Sequence, residues 1–458
     1  MGPIFLILFA GMEIALMVLT CTKWREKSKF LRNRALVTAT EFLFLLLLVL
    51  LPTTYMKWRF VGAIVFTFLR FAFAAVNFLV KRKRAEELLK IPARIVCCIL
   101  VVNILASSLI PAFVFSNYNG LVTSGEYEVN ECSAILVDSE RIDDFENDGS
   151  HREVPVHFYY PDAEGKFPLV IFSHGAFGYY QSNYSTYAEL VSNGYVVAAL
   201  DHPHHAFFSK DTSGKTVIVD MEFITNAVDF SNLNMENTKA FEVSQQWMNL
   251  RVDDGNFVLD TIKNAKAPKS LDDSWYTETE EEILKILSIT DTEKIGYMGH
   301  SMGGATAVAL GRERNDIDAV IDLDGSMITE IKSFENGEFQ FEDKPYPVPL
   351  LDFRKESDYN DMEQLISDGT YKGNYAYGFT YVNDNTVEKA VNAKSVVFKN
   401  AGHMNFTDLP MFSPFLGSML GTGEVDSEEF MYTVNGIVLN WFDYYLKGEG
   451  SLNIKATY

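Results

Sequence analysis

Long apolar runs separated by short polar loops fill the first quarter of the chain. A helix needs roughly 17 to 25 mostly apolar residues to cross the hydrocarbon core of a bilayer. The pattern predicts four transmembrane helices, over residues 3–20, 35–51, 60–80 and 91–115. The first run lacks the basic start and small-residue cleavage site of a signal peptide, so we expect it to remain as a span.

The pattern changes after residue 115. Residues 116–150 are polar and acidic, which indicates a linker with one candidate strand near 132–137. From residue 151 onward, short apolar runs alternate with helical segments, as in a mostly parallel sheet covered by helices on both faces. The predicted strands are 154–160, 168–173, 195–200, 294–298, 319–323, 349–353 and 395–398, and the predicted helices are 184–193, 243–264 and 305–310.

Two polar, irregular stretches interrupt this alternation, near 207–241 and 267–282. Insertions of this kind lie on the surface of many α/β domains without a role in binding. Where they lie at the end of the sheet that carries a binding site, they also form lids over that site. Both interpretations stay open at this point.

Charge divides at the same place as hydrophobicity. Residues 1–115 carry 15 Lys/Arg and 5 Asp/Glu, whereas residues 116–458 carry 24 and 56. Because residues 116–458 carry this excess of acidic side chains, the domain should repel nucleic acid. The basic loops at 21–34 and 81–94 should stay cytoplasmic, so we expect an outward N-terminus and an extracytoplasmic large domain.

Ionisable side chains inside the predicted spans are costly and are usually paired. Glu13 and Arg70 lie near the middle of the first and third spans, and Glu41 lies in the second. A proton path would need more polar residues than these. We therefore expect a buried Glu13–Arg70 pair that fixes helix packing.

One serine has the surroundings of a nucleophile. Ser301 is at the centre of GHSMG (299–303), between the apolar strand 294–298 and the helical run 305–310. A sharp strand-to-helix turn needs small flanking residues and exposes the serine hydroxyl beside backbone N–H groups. The setting predicts a nucleophile elbow.

A serine nucleophile needs a base and an acid, which follow it in the order acid, then histidine, in hydrolases with this elbow. His403, in a loop after strand 395–398, is the only histidine after Ser301. Two carboxylates follow strands at suitable positions, Asp324 after 319–323 and Asp358 after 349–353. We predict Asp324, with Asp358 as the alternative.

Donors for an oxyanion are expected at two loops. Residues 173–178 (SHGAFG) follow strand 168–173, and we predict that the backbone N–H groups of Ala176 and Met302 form the oxyanion hole. His174, Phe177, His204 and His205 are candidate substrate-pocket residues because their loops belong to the same end of the sheet. No supporting ligand spacing accompanies the histidines, so we predict no metal site.

These motifs resemble the α/β-hydrolase superfamily, and most closely its platelet-activating-factor acetylhydrolase-like and dienelactone-hydrolase-like branch. The resemblance rests on FSHG (172–175), GHSMGG (299–304), the strand ending in Asp324 and HMNFTD (403–408), and covers about 150–448. It implies an α/β-hydrolase fold over 151–458, preceded here by an all-α four-helix transmembrane region. The early position of the acid is also typical of acetylhydrolase-like members.

Together these observations predict an integral membrane serine hydrolase that cleaves carboxylic esters, with small-molecule or lipid esters as substrates and no cofactor. The alternatives are an acyltransferase or peptidase with the same triad, and a non-catalytic receptor or scaffold on the same fold. A domain with only Cys132 contains no internal disulfide. The lack of disulfides and the predicted membrane topology are together typical of a bacterial cell-membrane protein. The pattern does not indicate an oligomeric state.

Overall fold

The computed structural model describes residues 2–21, 27–81, 91–265, 269–358, 364, 367 and 375–458. The chain divides into two compact units. The first comprises Met1–Gly120 and Met411–Leu416, and the second comprises Leu121–Pro410 and Gly417–Tyr458.

The first unit is helical. Its helices are α1 (Gly2–Cys21), α2 (Lys27–Leu50), α3 (Val61–Lys81), which follows a 3-10 turn at Lys57–Phe60, and α4 (Ile91–Val114). Within the described residues, three segments are long and apolar enough to cross a membrane, namely Lys29–Leu50, Lys57–Val80 and Arg94–Val114. Helix α1 contains the apolar stretch Ile7–Val18. The predicted span 3–20 extends past the residues whose side chains are described, so this span stays a prediction. The basic residues 22–26 and 82–90, on which the predicted orientation depends, lie outside the described residues.

Three ionisable groups of this unit, one from each of α1, α2 and α3, meet in its interior. Arg70 Nη1 forms an ion pair with Glu13 and lies 3.7 Å from Glu41 Oε2. The side chain of Glu41 is fully buried, and those of Glu13 and Arg70 are nearly so. The expected Glu13–Arg70 pair is confirmed, with Glu41 as a second carboxylate beside the same guanidinium.

The second unit is built on a nine-stranded sheet in the order β13-β12-β9-β8-β3-β4-β2-β1-β7. The strands are β1 (Val129–Ile142), β2 (His151–Pro161), β3 (Phe167–Ser173), β4 (Val196–Leu200), β7 (Trp275–Tyr276), β8 (Thr290–His300), β9 (Ala319–Leu323), β12 (Leu350–Lys355) and β13 (Ala393–Phe398). From β4 to β13 all neighbours are parallel, whereas β2, β1 and β7 extend the sheet antiparallel. Every residue of β3, β4 and β9 is buried, as expected of parallel strands covered on both faces.

Helices cover both faces of this sheet. The helices that follow α4 along the chain are α5 (Tyr184–Ser192), α6 (Met221–Ser231), α7 (Asn237–Asn264), α8 (Glu280–Ile289), α9 (Met302–Glu313), α10 (Tyr375–Lys389), α11 (Leu409–Phe412), α12 (Pro414–Leu420) and α13 (Ser427–Phe442). Gly296 of β8 lies against Phe442 of α13, and the next residue, Tyr297, lies against Gly255 of α7. Successive strand residues point to opposite faces, so α7 and α13 lie on opposite sides.

The segment 116–150, predicted as a linker with one candidate strand near 132–137, contains the longer strand β1 over Val129–Ile142. Strand β1 pairs with β2 from Val129↔Pro161 to Asp138↔Arg152, so it is part of the sheet. Only alternate residues of β1, such as Ala134 and Leu136, are buried. Glu131, Ser133 and Ser139 alternate with the buried positions and lower the mean hydropathy of the strand, so a strand buried on one face looks like a polar connection.

The two insertions are also more regular than their polar sequences indicate. The first contains the hairpin β5 (Phe208–Lys210) and β6 (Thr216–Ile218), followed by α6 and the start of α7. The second contributes β7, which pairs with β1, and the start of α8. A further hairpin, β10 (Ile331–Glu335) and β11 (Glu338–Phe341), follows β9.

Candidate active site

Ser301 occupies the sharp turn between β8 and α9. Its backbone has φ 56° and ψ −123°, a strained conformation for a residue with a side chain. Its N–H donates to the carbonyl of Leu323 at 2.9 Å, which ties the turn to the end of β9. The geometry is that of a nucleophile elbow, in which strain holds the serine hydroxyl clear of the sheet.

The turn leaves no room for a side chain at two of its glycines. A Cβ on Gly299 would lie 2.3 Å from the carbonyl of Gly303, and a Cβ on Gly303 would lie 1.9 Å from the carbonyl oxygen of Ser173. Both distances are far below van der Waals contact. The elbow can therefore approach β3 this closely only with glycine at these two positions.

The predicted base and acid are in hydrogen-bond contact. His403 follows β13, Asp324 follows β9, and Nδ1 of His403 lies 2.6 Å from Oδ2 of Asp324. The other carboxylate oxygen, Oδ1, accepts the backbone N–H of Lys355 at 2.9 Å. Burial alone would raise the pKa of Asp324, but the hydrogen bond with His403 and the charge of Lys355 hold it below its usual value.

Asp358, the alternative acid, is bound elsewhere. Its Oδ1 lies 2.6 Å from Nζ of Lys355, and within the described part of the chain it forms no hydrogen bond with His403. Burial, followed by the nearby charge of Asp324, raises the pKa of Asp358. The geometry therefore favours Asp324 as the partner of His403.

The histidine of the elbow contacts the same loop. His300 donates from Nε2 to the backbone carbonyl of His403 at 3.1 Å, and the two rings lie 4.5 Å apart. Burial, with a smaller effect from His403, lowers the pKa of His300 to about 3, so it is neutral. The motif contained this residue, but only the fold shows that it positions the His403 loop.

The predicted oxyanion donors border the same cavity as Ser301. Ala176, Met302, Ser301, Asp324 and His403 all line one cavity of about 350 Å³. Among the described residues, the N–H groups of Ala176 and Met302 donate to no protein acceptor. Two unsatisfied donors beside a nucleophilic serine are what an oxyanion hole requires.

The walls of the cavity differ in polarity. One wall is apolar, with Phe177, Phe230, Trp247, Ile328 and Phe379 among its residues. The other carries Arg354, Lys355, Asp358 and Asn383. Phe230 belongs to α6, so the first insertion does contribute to the site.

Of the four predicted pocket residues, the structure places only Phe177 in the cavity wall. His174 is fully buried, donates from Nδ1 to the carbonyl of Gly175 at 2.6 Å and accepts at Nε2 the N–H of His202 at 3.1 Å. The ring of His205 stacks on Phe223 at 4.0 Å, and the ring of His204 stacks on Phe145 at 4.3 Å. The sequence predicted correctly that these histidines lie at this end of the sheet. It did not predict the direction of their side chains.

His202 completes this histidine group without facing the cavity. Its Nδ1 donates to Asp254 at 3.0 Å, and its Nε2 accepts from the hydroxyl of Ser173 at 3.1 Å. Burial, the largest effect, and Arg251 lower the pKa of His202 to about 4. Burial also lowers the pKa of His174 and His205 well below 6.5. These neutral rings serve as hydrogen-bonding core groups beneath the loop that carries Ala176.

Comparison with known proteins identifies related sequences and a related fold. The profile of the family "Platelet-activating factor acetylhydrolase, isoform II" matches residues 154–450. Platelet-activating factor acetylhydrolase of Cavia porcellus is 26% identical over 308 residues, which cover 64% of this chain and 61% of that protein. The Bos taurus protein of the same name is 27% identical over 167 residues, covering 35% of this chain and 36% of its own length. The match thus spans less than two thirds of the length of these relatives.

A solved structure is similar over more of the chain. The ferulic acid esterase from Streptomyces cinnamoneus aligns with a TM-score of 0.50 and 20% identity, and the alignment covers 73% of this chain and 94% of the esterase. At this identity the likeness supports the fold of the second unit.

Proposed function

The chain belongs to the platelet-activating factor acetylhydrolase, isoform II family, and we propose that it is a serine hydrolase that cleaves carboxylic esters through an acyl-enzyme. The observation that carries this proposal is the pairing of Asp324 with His403 at 2.6 Å beside the strained Ser301 elbow. A nucleophile, a base and an orienting acid bordering one cavity are the groups that ester cleavage needs.

In the proposed reaction, the hydroxyl oxygen of Ser301 attacks the ester carbonyl carbon while His403 takes the hydroxyl proton at Nε2. Asp324 holds Nδ1–H of the ring and stabilises the imidazolium that forms. The N–H groups of Ala176 and Met302 bind the negative oxygen of the tetrahedral intermediate. Its collapse breaks the ester C–O bond, and His403 returns the proton to the departing alcohol.

The second half of the reaction uses the same groups. A water molecule attacks the acyl group on Ser301, and His403 takes a proton from that water. The second tetrahedral intermediate uses the same two N–H donors. Its collapse releases the carboxylic acid and restores the Ser301 hydroxyl, which receives its proton from His403.

The proposed substrates are acetyl esters or lipid esters with a short acyl group. The relatives are named as acetylhydrolases, and a cavity of about 350 Å³ with an apolar wall accommodates a short acyl chain beside Ser301. The apolar segments of the first unit support anchoring in a membrane. An anchored enzyme would meet esters at the membrane surface.

Fluorophosphonate labelling of the full-length protein in detergent tests this proposal, followed by a panel of p-nitrophenyl esters of increasing acyl length. We expect labelling, with turnover highest for short acyl chains. Ser301→Ala should lose the label and turnover on the order of 10⁴-fold or more. A wild-type protein that is folded yet neither labels nor hydrolyses any ester would refute the proposal.

A further inference from the structure

Two carbonyls of the loop that carries Ala176 accept hydrogen bonds from one buried guanidinium. Arg251, on α7, is fully buried. It donates from Nη1 to the carbonyl of His174 at 2.5 Å and from Nη2 to the carbonyl of Gly175 at 3.3 Å. These two carbonyls immediately precede the predicted oxyanion donor. The Gly175 carbonyl also accepts from Nδ1 of His174 at 2.6 Å and from the N–H of Gly178 at 3.1 Å, so Arg251 is one of three donors that fix its direction.

The second contact has a direct geometric consequence. The carbonyl of Gly175 and the N–H of Ala176 belong to one planar peptide group, and in a trans peptide they point in opposite directions. A carbonyl held toward Arg251 therefore turns the Ala176 N–H away from Arg251. Ala176 lines the cavity beside Ser301, and its N–H is unsatisfied among the described residues.

The same guanidinium also secures the neighbouring loop. Its Nε donates to Nδ1 of His205 at 3.3 Å, and the backbone carbonyl of His205 accepts the N–H of Phe177 at 3.1 Å. The next residue, Gly178, accepts at its carbonyl the N–H of Phe207 at 2.8 Å. The oxyanion loop, residues 174–178, is thus bound at two carbonyls by Arg251 and at its following residues by the 205–207 segment.

A buried cation used in this way is energetically unusual. Burial lowers the pKa of Arg251 to about 9, and within the described residues no carboxylate forms an ion pair with it. The nearby Asp254 instead binds Arg152, Arg141 and His202. Burying a charge without a paired carboxylate costs free energy. The hydrogen bonds that Arg251 forms in this position are with the oxyanion loop and with His205 of the neighbouring loop.

We propose that Arg251 is a positioning residue of the oxyanion hole, acting through the carbonyls of His174 and Gly175 to aim the N–H of Ala176 at the developing oxyanion. This inference rests on the proposed ester-hydrolase function. Arg251 touches no reacting atom in this scheme, and its effect is transmitted through one peptide group.

The test compares Arg251→Lys and Arg251→Gln with Arg314→Gln in the full-length protein. Arg314 is a matched control because its guanidinium also anchors α7, through Asn256 at 3.0 Å and Asp260 at 2.7 Å, away from the cavity. Each preparation is normalised by fluorophosphonate titration of Ser301. The measurements are kcat and KM for p-nitrophenyl acetate and Ki for an alkyl trifluoromethyl ketone, which forms a tetrahedral oxyanion on the serine.

Loss of one oxyanion donor lowers turnover on the order of 10²–10³-fold. We expect a loss of this size in kcat for Arg251→Gln, a smaller one for Arg251→Lys, and nearly unchanged KM in both. Ki for the ketone should rise by the factor by which kcat/KM falls, because both report binding of the oxyanion. Arg314→Gln should keep wild-type values.

Two results would overturn the inference while leaving the ester-hydrolase function intact. One is that Arg251→Lys and Arg251→Gln both fold, react with the fluorophosphonate at Ser301, and have wild-type kcat and Ki. The other is failure of both variants to fold, which would assign Arg251 to core stability instead. Absence of ester turnover in the wild-type protein would instead refute the proposed function itself.

Discussion

Oδ2 of Asp324 lies 2.6 Å from Nδ1 of His403, although 79 positions separate the two residues in sequence. Parallel strands β9, β12 and β13 bring them together, because their carboxyl ends meet at one edge of the sheet. Asp358 follows the intervening strand β12 and contacts Lys355 instead.

The first prediction compares the two carboxylates. Asp324→Asn should lower kcat on the order of 10⁴-fold, because the amide no longer selects the correct histidine tautomer or stabilises the imidazolium. Asp358→Asn should change kcat far less. Both variants are assayed on p-nitrophenyl acetate in one purified background. A large loss at Asp358 with little change at Asp324 would reverse the assignment.

The second prediction concerns acid stability. His300 has a pKa of about 3 in the folded protein, against an ordinary value of 6.5. The unfolded chain binds a proton there between those values and the folded chain does not, so the free energy of unfolding falls as the pH drops below 6.5. This contribution is about 1.4 kcal/mol per pH unit.

His300→Gln should therefore reduce the fall in melting temperature between pH 7 and pH 5, measured by intrinsic fluorescence. Glutamine keeps a donor for the His403 carbonyl but does not titrate. The control is His151→Gln, because His151 is exposed. An identical pH dependence in His300→Gln and wild-type protein would contradict the prediction.

The third prediction tests the space around the elbow. Gly303→Ala should destabilise the second unit by about 3 kcal/mol, because its Cβ would lie 1.9 Å from the Ser173 carbonyl oxygen. Gly436→Ala, in α13, meets no atom within 4 Å and should be neutral or stabilising by up to about 1 kcal/mol. Melting temperature and fluorophosphonate labelling report both effects. Normal folding of Gly303→Ala would show that β3 moves away from the elbow easily.

The fourth prediction concerns the buried ion pair of the first unit. Arg70→Leu should lower the yield of folded protein, because removal of the guanidinium leaves Glu13 as an uncompensated buried charge. Adding Glu13→Leu should restore part of the yield. The readout is the monodisperse fraction in detergent, and the exposed Asn103→Leu of α4 is the control. A purely additive loss in the double variant would rule out coupling between the two residues.

The fifth prediction concerns topology. With basic loops at 21–34 and 81–94 on the cytoplasmic side, protease added to intact cells should cut within 116–458. A cytoplasmic marker protein should stay intact in the same sample. Protection of this region until the cells are lysed would place the second unit in the cytoplasm.

Much of the second unit was predictable from local sequence. Strand 319–323 was predicted with the bounds that the structure has, and 168–173 and 395–398 differ from the observed strands at one end only. The elbow around Ser301 was also predictable. Buried parallel strands are short continuous apolar runs, and a serine between small residues at a strand-to-helix junction is a local signal, so both are visible without tertiary information.

Tertiary structure alone decided three features of the site. It showed that Asp324 reaches His403, that His174, His204 and His205 turn away from the cavity, and that Arg251 binds the carbonyls before Ala176. Strand β1 was predicted only near 132–137, because the polar residues Glu131, Ser133 and Ser139 interrupt its apolar positions. Periodicity reports which positions are apolar along one element. The direction of a polar side chain depends on partners distant in sequence, and only the assembled sheet and helices bring those partners into contact.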